Sequence, residues 1–345
     1  RYRIMDDLSF LIRPATLKDF DWFCETAHLF GVGFTSLQND KDFLKRRLEL
    51  VEKSFAEQIP IADRIYLFVV EILPQQKCVG ICGIDVSIGH KEIFYNYQIS
   101  HVTQASTDLD IFVDHQLLTL ANSFQYSSEL ISLWVDKQYR GKAISRALSW
   151  ARLLFIAQFR EQFGADLLAE MRGVSDSNGK SPFWEAVGRK FFNIDFATAD
   201  NLCVTRDKQF IADLASRMPI YIDLLPAEAQ EVIGKEHPDA TPAKKLLTAQ
   251  GFRFSEHVDI FDAGPVLTAW VENIPVVYNS KVVVIQVLEI TDDTGVKALL
   301  YNMRLNARIT ADKIQIIDAA TISISPLTAD TLQVQSGDQL RYYLF

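Results

Sequence analysis

His237 stands directly before Pro238, just ahead of Thr241-Pro242. Proline disfavours helical backbone at the residue before it, so His237 belongs to a loop that leads into a helix. With an ordinary pKa near 6.5, imidazole suits proton transfer at neutral pH. By position alone it reads as a surface histidine, and His28, His90, His101, His115 and His257 carry less support still. A second pattern is Gln138-Tyr-Arg-Gly-Lys-Ala-Ile-Ser145. There Gln138-x-x-Gly141-x-Ala143 sets small residues where backbone must closely approach a bulky anion. Arg140-x-x-Ala143-x-Ser145 repeats the idea in a looser register. The cysteines are Cys24, Cys78, Cys82 and Cys203. On one strand Cys78 and Cys82 share a face but lie roughly 13 Å apart, too far to grip one metal. No metal site is expected, the thiols read as reduced and structural, and a reducing cytoplasm follows. Cys203 as a covalent nucleophile is the weaker alternative.

These groups sit in a chain of 345 residues, 48% hydrophobic and 23% charged, with a net charge of −9. That length allows one large or two smaller cores. The acidic balance argues against nucleic acid as a partner. No apolar run approaches the roughly 18–20 residues of a membrane span. Arg1 to Asp7 lacks the apolar core of a signal peptide, and Met5 reads as a start with Arg1 to Ile4 upstream of it.

Hydrophobic periodicity supplies the elements. A strand over Leu8–Ile12 ends at Pro14, and helices are expected over Leu17–Phe30 and Lys41–Phe55. Strands follow over Ile65–Leu73, Val79–Ile88 and Tyr95–Val102, then a helix near Asp114–Asn122 and a strand over Glu129–Val135. The 138–145 turn opens the longest helix, Ala143–Phe163. Leu167–Met171 is a strand, and Phe183–Phe192 and Lys208–Ala215 are helical. Thr241-Pro242 reads as cap and first residue of a helix ending at Gly251, followed by a strand over Phe252–Phe261. Beyond Asn273 come four short β-like runs, Val282–Ile290, Ala298–Ile309, Ile314–Ile324 and Gln339–Phe345. The division expected is 6–273 as one domain and 274–345 as a small β-rich extension.

Two helices, a strand meander, then strand, turn and long helix is the order of the GNAT acyltransferase fold. It implies an α+β protein with a mixed, mostly antiparallel sheet flanked by helices. In that arrangement one strand splays from its neighbour and offers its backbone to a pantetheine arm. The turn and the helix N-terminus then meet the pyrophosphate. Leu133, Val135, Arg140, Gly141, Lys142, Ala143 and Ser145 are the expected CoA contacts.

A more specific resemblance runs through Ala169-Glu-Met-Arg-Gly173, Ser181-Pro-Phe-Trp184, Gly188-Arg-Lys-Phe-Phe192 and Asp195-Phe196 with Ala199-Asp200. It continues in Tyr95-Asn-Tyr97, Val232-Ile-Gly234, His237-Pro238 and Asp259-Ile-Phe-Asp-Ala-Gly-Pro265. These stretches resemble the arginine N-succinyltransferase family, which opens the succinyl-transfer route of bacterial arginine breakdown. The resemblance implies succinyl-CoA as acyl donor and substrate, no permanently bound cofactor, and L-arginine as acceptor. It places the catalytic histidine on His237 and a CoA contact on Leu133. The family's Gly-Asn-Gly is Ala143-Ile144-Ser145 here, which implies either a looser fit to phosphate or a shift of the turn to the Gly141 register.

Arginine presents a guanidinium and a carboxylate, which need acids and a cation or N–H groups. Glu170, Asp195 and Asp200 are the candidates for the first, Arg172 and Ser181 for the second or for the succinyl carboxylate. The plain alternative pairs Glu170 internally with Arg172 or a neighbour, while Trp184, Phe191 and Phe192 belong to the core. Ornithine or another basic amino acid is the competing acceptor. A non-catalytic paralogue that binds CoA or arginine as a partner subunit is the competing class. A homodimer, or a heterodimer with a paralogue, is the expected assembly.

Overall fold

The structure is a computed structural model. It describes residues 8–30, 37, 39–140, 143–176, 179–196, 198–199, 202, 209–290 and 295–345. Its core is the sheet formed by β1 (Phe10–Pro14), β2 (Ile65–Ile72), β3 (Lys77–Asp85) and β6 (Ser128–Val135), antiparallel throughout. All eight residues of β2 are buried because both its faces are covered. Ile65, Leu67 and Val69 meet α1 (Phe20–Thr26) and α2 (Lys41–Phe55) on one face. Tyr66, Phe68 and Val70 meet α3 (Ala143–Gln158) on the other. This is the period-2 alternation of a strand sandwiched between helices. The α+β class and the flanked, mostly antiparallel sheet are as expected.

Beyond β6 the sheet continues through β7 (Asp166–Glu170), β10 (Pro265–Trp270), β9 (Arg253–Val258), β4 (Asn96–Ser106), β5 (Ile111–Ala121) and β8 (Ile220–Tyr221). The helix expected near Asp114–Asn122 is instead part of β5. Eleven cross-strand pairs from Asn96↔Ala121 to Ser106↔Ile111 fix it as a hairpin arm. Long-range pairing overrides local propensity there. The short helices α4 (Pro182–Ala186) and α5 (Gly188–Phe192) pack under this half of the sheet. They wrap Trp184, which is fully buried and donates its indole N–H to the Ile194 carbonyl at 3.0 Å. Phe192 is buried with it, whereas Phe191 is 40% exposed and does not join the core.

At the opposite edge, β11 (Lys281–Val287), β12 (Val296–Tyr301), β13 (Ile309–Ile316), β14 (Thr321–Ile324) and β15 (Gln339–Leu344) form a ring. β12 pairs with both β13 and β15, β15 with β11, β11 with β14 in parallel, and β14 with β13. Closure removes exposed edges. Val283, Ile285, Leu300, Ile314, Ile322 and Leu340 fill the interior. The helix Pro326–Leu332 seals it with Leu332. Among the described residues no helix is long and apolar enough to cross a membrane.

Candidate active site

β6 and β7 run parallel but pair only at Ser128↔Leu167 and Glu129↔Leu168. Past that point β6 stays with β3 while β7 follows β10, so the two strands part. The parting coincides with a bulge. Between Gly83↔Ile131 and Ile81↔Trp134, β6 spends one residue more than β3, leaving Ser132 and Leu133 opposite Cys82. Ser132 takes φ +60°, a left-handed conformation costly for a residue with a Cβ. A bulge re-aims backbone groups and bends the strand.

The strand then runs into the turn. Asp136 accepts the Gln138 N–H at 2.9 Å, and the Arg140 Nε–H donates to the Val135 carbonyl at 2.8 Å. The Arg140 side chain is thereby tied to the end of its own strand. Ala143 opens α3, with Ser145 in the first turn and half-buried. Leu133, Val135, Arg140, Ala143 and Ser145 thus follow one another along strand, turn and helix start. Gly141 and Lys142 lie outside the described residues.

His237 caps a short 3-10 turn, Pro238–Ala240, and its Nδ1 accepts the Asp239 N–H at 3.1 Å. Thr241, expected as the helix cap, lies inside the helix Thr241–Thr248 instead. Its hydroxyl donates to Glu236 at 3.2 Å. Arg172, beyond the end of β7, places a guanidinium N–H on the same His237 Nδ1. It also faces the Asp239 carboxylate at 3.6 Å. The His237 backbone N–H donates to the Arg172 carbonyl at 2.7 Å. The imidazole is 20% exposed, and its pKa is lowered, first by burial and then by the Arg172 charge, against the opposing pull of Asp239. With two donors on Nδ1, the hydrogen of the neutral ring sits on Nε2.

A buried carboxyl holds this loop in place. Asp262 accepts the Gly173 N–H at 2.7 Å and the Gly264 N–H at 2.8 Å. Burial and nearby Asp259 push it well above the usual carboxylate range. Gly264 is required for the approach. A Cβ there would lie 2.0 Å from the Met171 carbonyl oxygen and 2.6 Å from the Gly173 nitrogen. Both contacts are backbone, so Gly264→Ala is expected to cost about 3 kcal/mol of stability. An unchanged urea midpoint would refute the close-packing argument.

The other expected contacts divide. Glu170 Oε1 accepts from Asn96 Nδ2 at 2.8 Å, while Arg172 engages His237 and Asp239. Asn96, fully buried at the start of β4, escaped sequence reasoning. Its signal was the Tyr95-Asn-Tyr97 stretch, whose asparagine is unusual at a strand start facing the core. Ser181 is fully buried and caps α4 through Trp184 N–H at 3.3 Å. Asp195 is exposed and accepts both the N–H and hydroxyl of Thr198, at 2.9 and 2.8 Å. Those bonds hold its pKa below the usual range. Ser181 and Asp195 are therefore engaged in local caps, and Asp200 lies outside the described residues. The thiols of Cys78 and Cys82 are pushed up to about 12 by burial, which keeps them protonated; Cys203 lies outside the described residues.

The family model described as arginine N-succinyltransferase beta subunit matches residues 10–276. Arginine N-succinyltransferase subunit beta of Pseudomonas aeruginosa is 39% identical over 331 residues, covering 96% of this chain and 97% of that one. Arginine N-succinyltransferase of Yersinia pseudotuberculosis is 36% identical over 344 residues, covering 96% of each. A solved structure, arginine/ornithine succinyltransferase subunit AI from Pseudomonas aeruginosa, superposes with a TM-score of 0.88 at 30% identity, over 98% of this chain and 99% of that one. A splayed, bulged strand leading through a turn to a long helix, with a histidine held at a second loop, is thus carried by a chain that belongs to the arginine N-succinyltransferase family.

Proposed function

We propose that the chain transfers the succinyl group of succinyl-CoA to the α-amine of L-arginine, giving N2-succinyl-L-arginine and CoA. The observation that carries this reading is the parting of β6 from β7 at the Ser132 bulge, directly upstream of the turn and α3. Pantetheine pairs with the exposed edge of β6 around Leu133 and Val135, and the pyrophosphate meets Arg140, Gly141, Lys142, Ala143 and Ser145. A backbone N–H of the bulge stabilises the oxyanion as the amine adds to the thioester carbonyl.

His237 moves the proton. Nδ1 meets two N–H groups, which leaves the hydrogen of the neutral ring to Nε2. When the α-carboxylate of arginine draws the Arg172 guanidinium to itself, the ring hydrogen exchanges through solvent from Nε2 to Nδ1, where it faces the Asp239 carboxylate 3.9 Å away. Nε2 is then bare and accepts the ammonium proton, which it later delivers to the departing thiolate; the neutral ring then takes the extra proton from the new amide nitrogen and passes it to solvent. The guanidinium of the substrate goes to Glu170, with Asp200 as the second acid.

The test is thiol release from succinyl-CoA, with and without L-arginine. Arginine-dependent release and N2-succinylarginine by mass are expected; release at the hydrolysis background only would overturn the reading. L-ornithine in competition measures acceptor preference, since the P. aeruginosa structure is described as arginine/ornithine succinyltransferase. Relatives described as subunits support an assembly with a second copy or a paralogous chain.

A further inference from the structure

α3 carries an arginine that packing alone does not account for. Arg152 is 1% exposed in the middle of the core helix. Its Nε–H donates to the Ser149 carbonyl at 3.2 Å, one Nη2–H to the Ser149 hydroxyl at 3.2 Å, and one Nη1–H to the Ile131 carbonyl at 3.4 Å. All three acceptors are neutral, and no carboxylate among the described residues pairs with it. Guanidinium has five N–H bonds, so its fork retains donors for an anion. A buried, unpaired charge is costly and calls for a counter-charge.

Its position names the counter-charge. Ile131 is the last residue of β6 before the bulge, and Cys82 of β3 stands opposite that bulge. Arg152 follows Ala143 by roughly 14 Å along α3. Pantetheine running from the α3 N-terminus back along β6 brings its thioester to this level. An acyl group extending past the bulge carries its far end toward Arg152.

We infer that Arg152 receives the terminal carboxylate of the acyl group and so selects a dicarboxylic acyl-CoA over a neutral one. The inference rests on the acyl-transfer reading above and adds the residue that reads the acyl chain. In a low-dielectric interior a guanidinium–carboxylate pair is strong, and a neutral acyl tail would leave the cation unmatched.

Butyryl-CoA, which replaces the succinyl carboxylate by a methyl group, is the probe. In the unaltered protein, kcat/KM for succinyl-CoA is expected to exceed that for butyryl-CoA by about 10²-fold or more. Arg152→Met should erase most of that ratio by lowering the succinyl rate, whereas Arg152→Lys keeps part of it. Equal losses with both donors would overturn the inference and leave Arg152 as a brace for Ile131. Absence of any transfer by the unaltered protein would instead sink the acyl-transfer reading. Should the variants not fold, a structure of the unaltered protein with S-(3-carboxypropyl)-CoA decides. The carboxylate on the Arg152 guanidinium supports the inference, and the carboxylate on any other cation overturns it.

Discussion

Replacing His237 by alanine is expected to lower kcat by about 10² to 10⁴-fold with succinyl-CoA and L-arginine. The α-amine of arginine is mostly ammonium at neutral pH and cannot attack while protonated. The thioester is already activated and needs no protein nucleophile, so losing the base proposed at His237 would remove the main contribution a side chain makes to the chemistry. The structural cost is small. His237 caps a single 3-10 turn and is partly exposed, so stability should fall by only about 1 kcal/mol. Binding of CoA, proposed to lie along β6 and the start of α3, should be unchanged. Thiol-release kinetics beside a melting curve separate the two effects. Turnover equal to that of the unaltered protein would remove His237 from the mechanism.

Much of this arrangement is legible in the sequence because short-range signals write it. β2 alternates large apolar residues, α2 carries a clear apolar face, and the 138–145 turn announces strand, turn and helix. What escaped is long-range. β5 is a strand because eleven pairs with β4 hold it, and nothing within residues 114–122 alone says so. Each barrel strand has its own apolar run, but the parallel pairing of β11 with β14 and the closure of β12 on β13 exist only in three dimensions. Arg152 falls among the apolar residues of α3, and its burial comes from the sheet beneath, where it reaches the Ile131 carbonyl. Of the site, His237 and Arg172 were visible as residue types, yet their contact joins positions far apart in the chain. Ser181 and Asp195 illustrate the converse. Their polar side chains invite a substrate, but each satisfies the N–H groups at the start of a local helical turn.

Arg172→Met should change both the acceptor kinetics and the pH profile, and the pair of effects distinguishes its role from simple packing. If its guanidinium receives the α-carboxylate of the substrate, removal costs a charge-assisted hydrogen bond, and kcat/KM for arginine should fall by roughly 10²-fold. KM for succinyl-CoA should move little. The acid limb follows from His237. Its pKa is depressed below the ordinary value by burial first and by the Arg172 charge second, while Asp239 pulls the other way. A base must be neutral to act, so in the unaltered protein kcat/KM should hold below the ordinary histidine range near pH 6.5 before protonation extinguishes it. Without Arg172 one lowering influence is lost and the attraction of Asp239 remains, so the imidazolium becomes easier to form. The acid limb should therefore move to higher pH, and activity should be lost sooner on acidification. Arg172→Lys keeps the charge but not the fork, so the limb should stay low while KM for arginine still rises. A limb that stays in place in Arg172→Met would show that the guanidinium does not govern His237, and would confine Arg172 to acceptor binding.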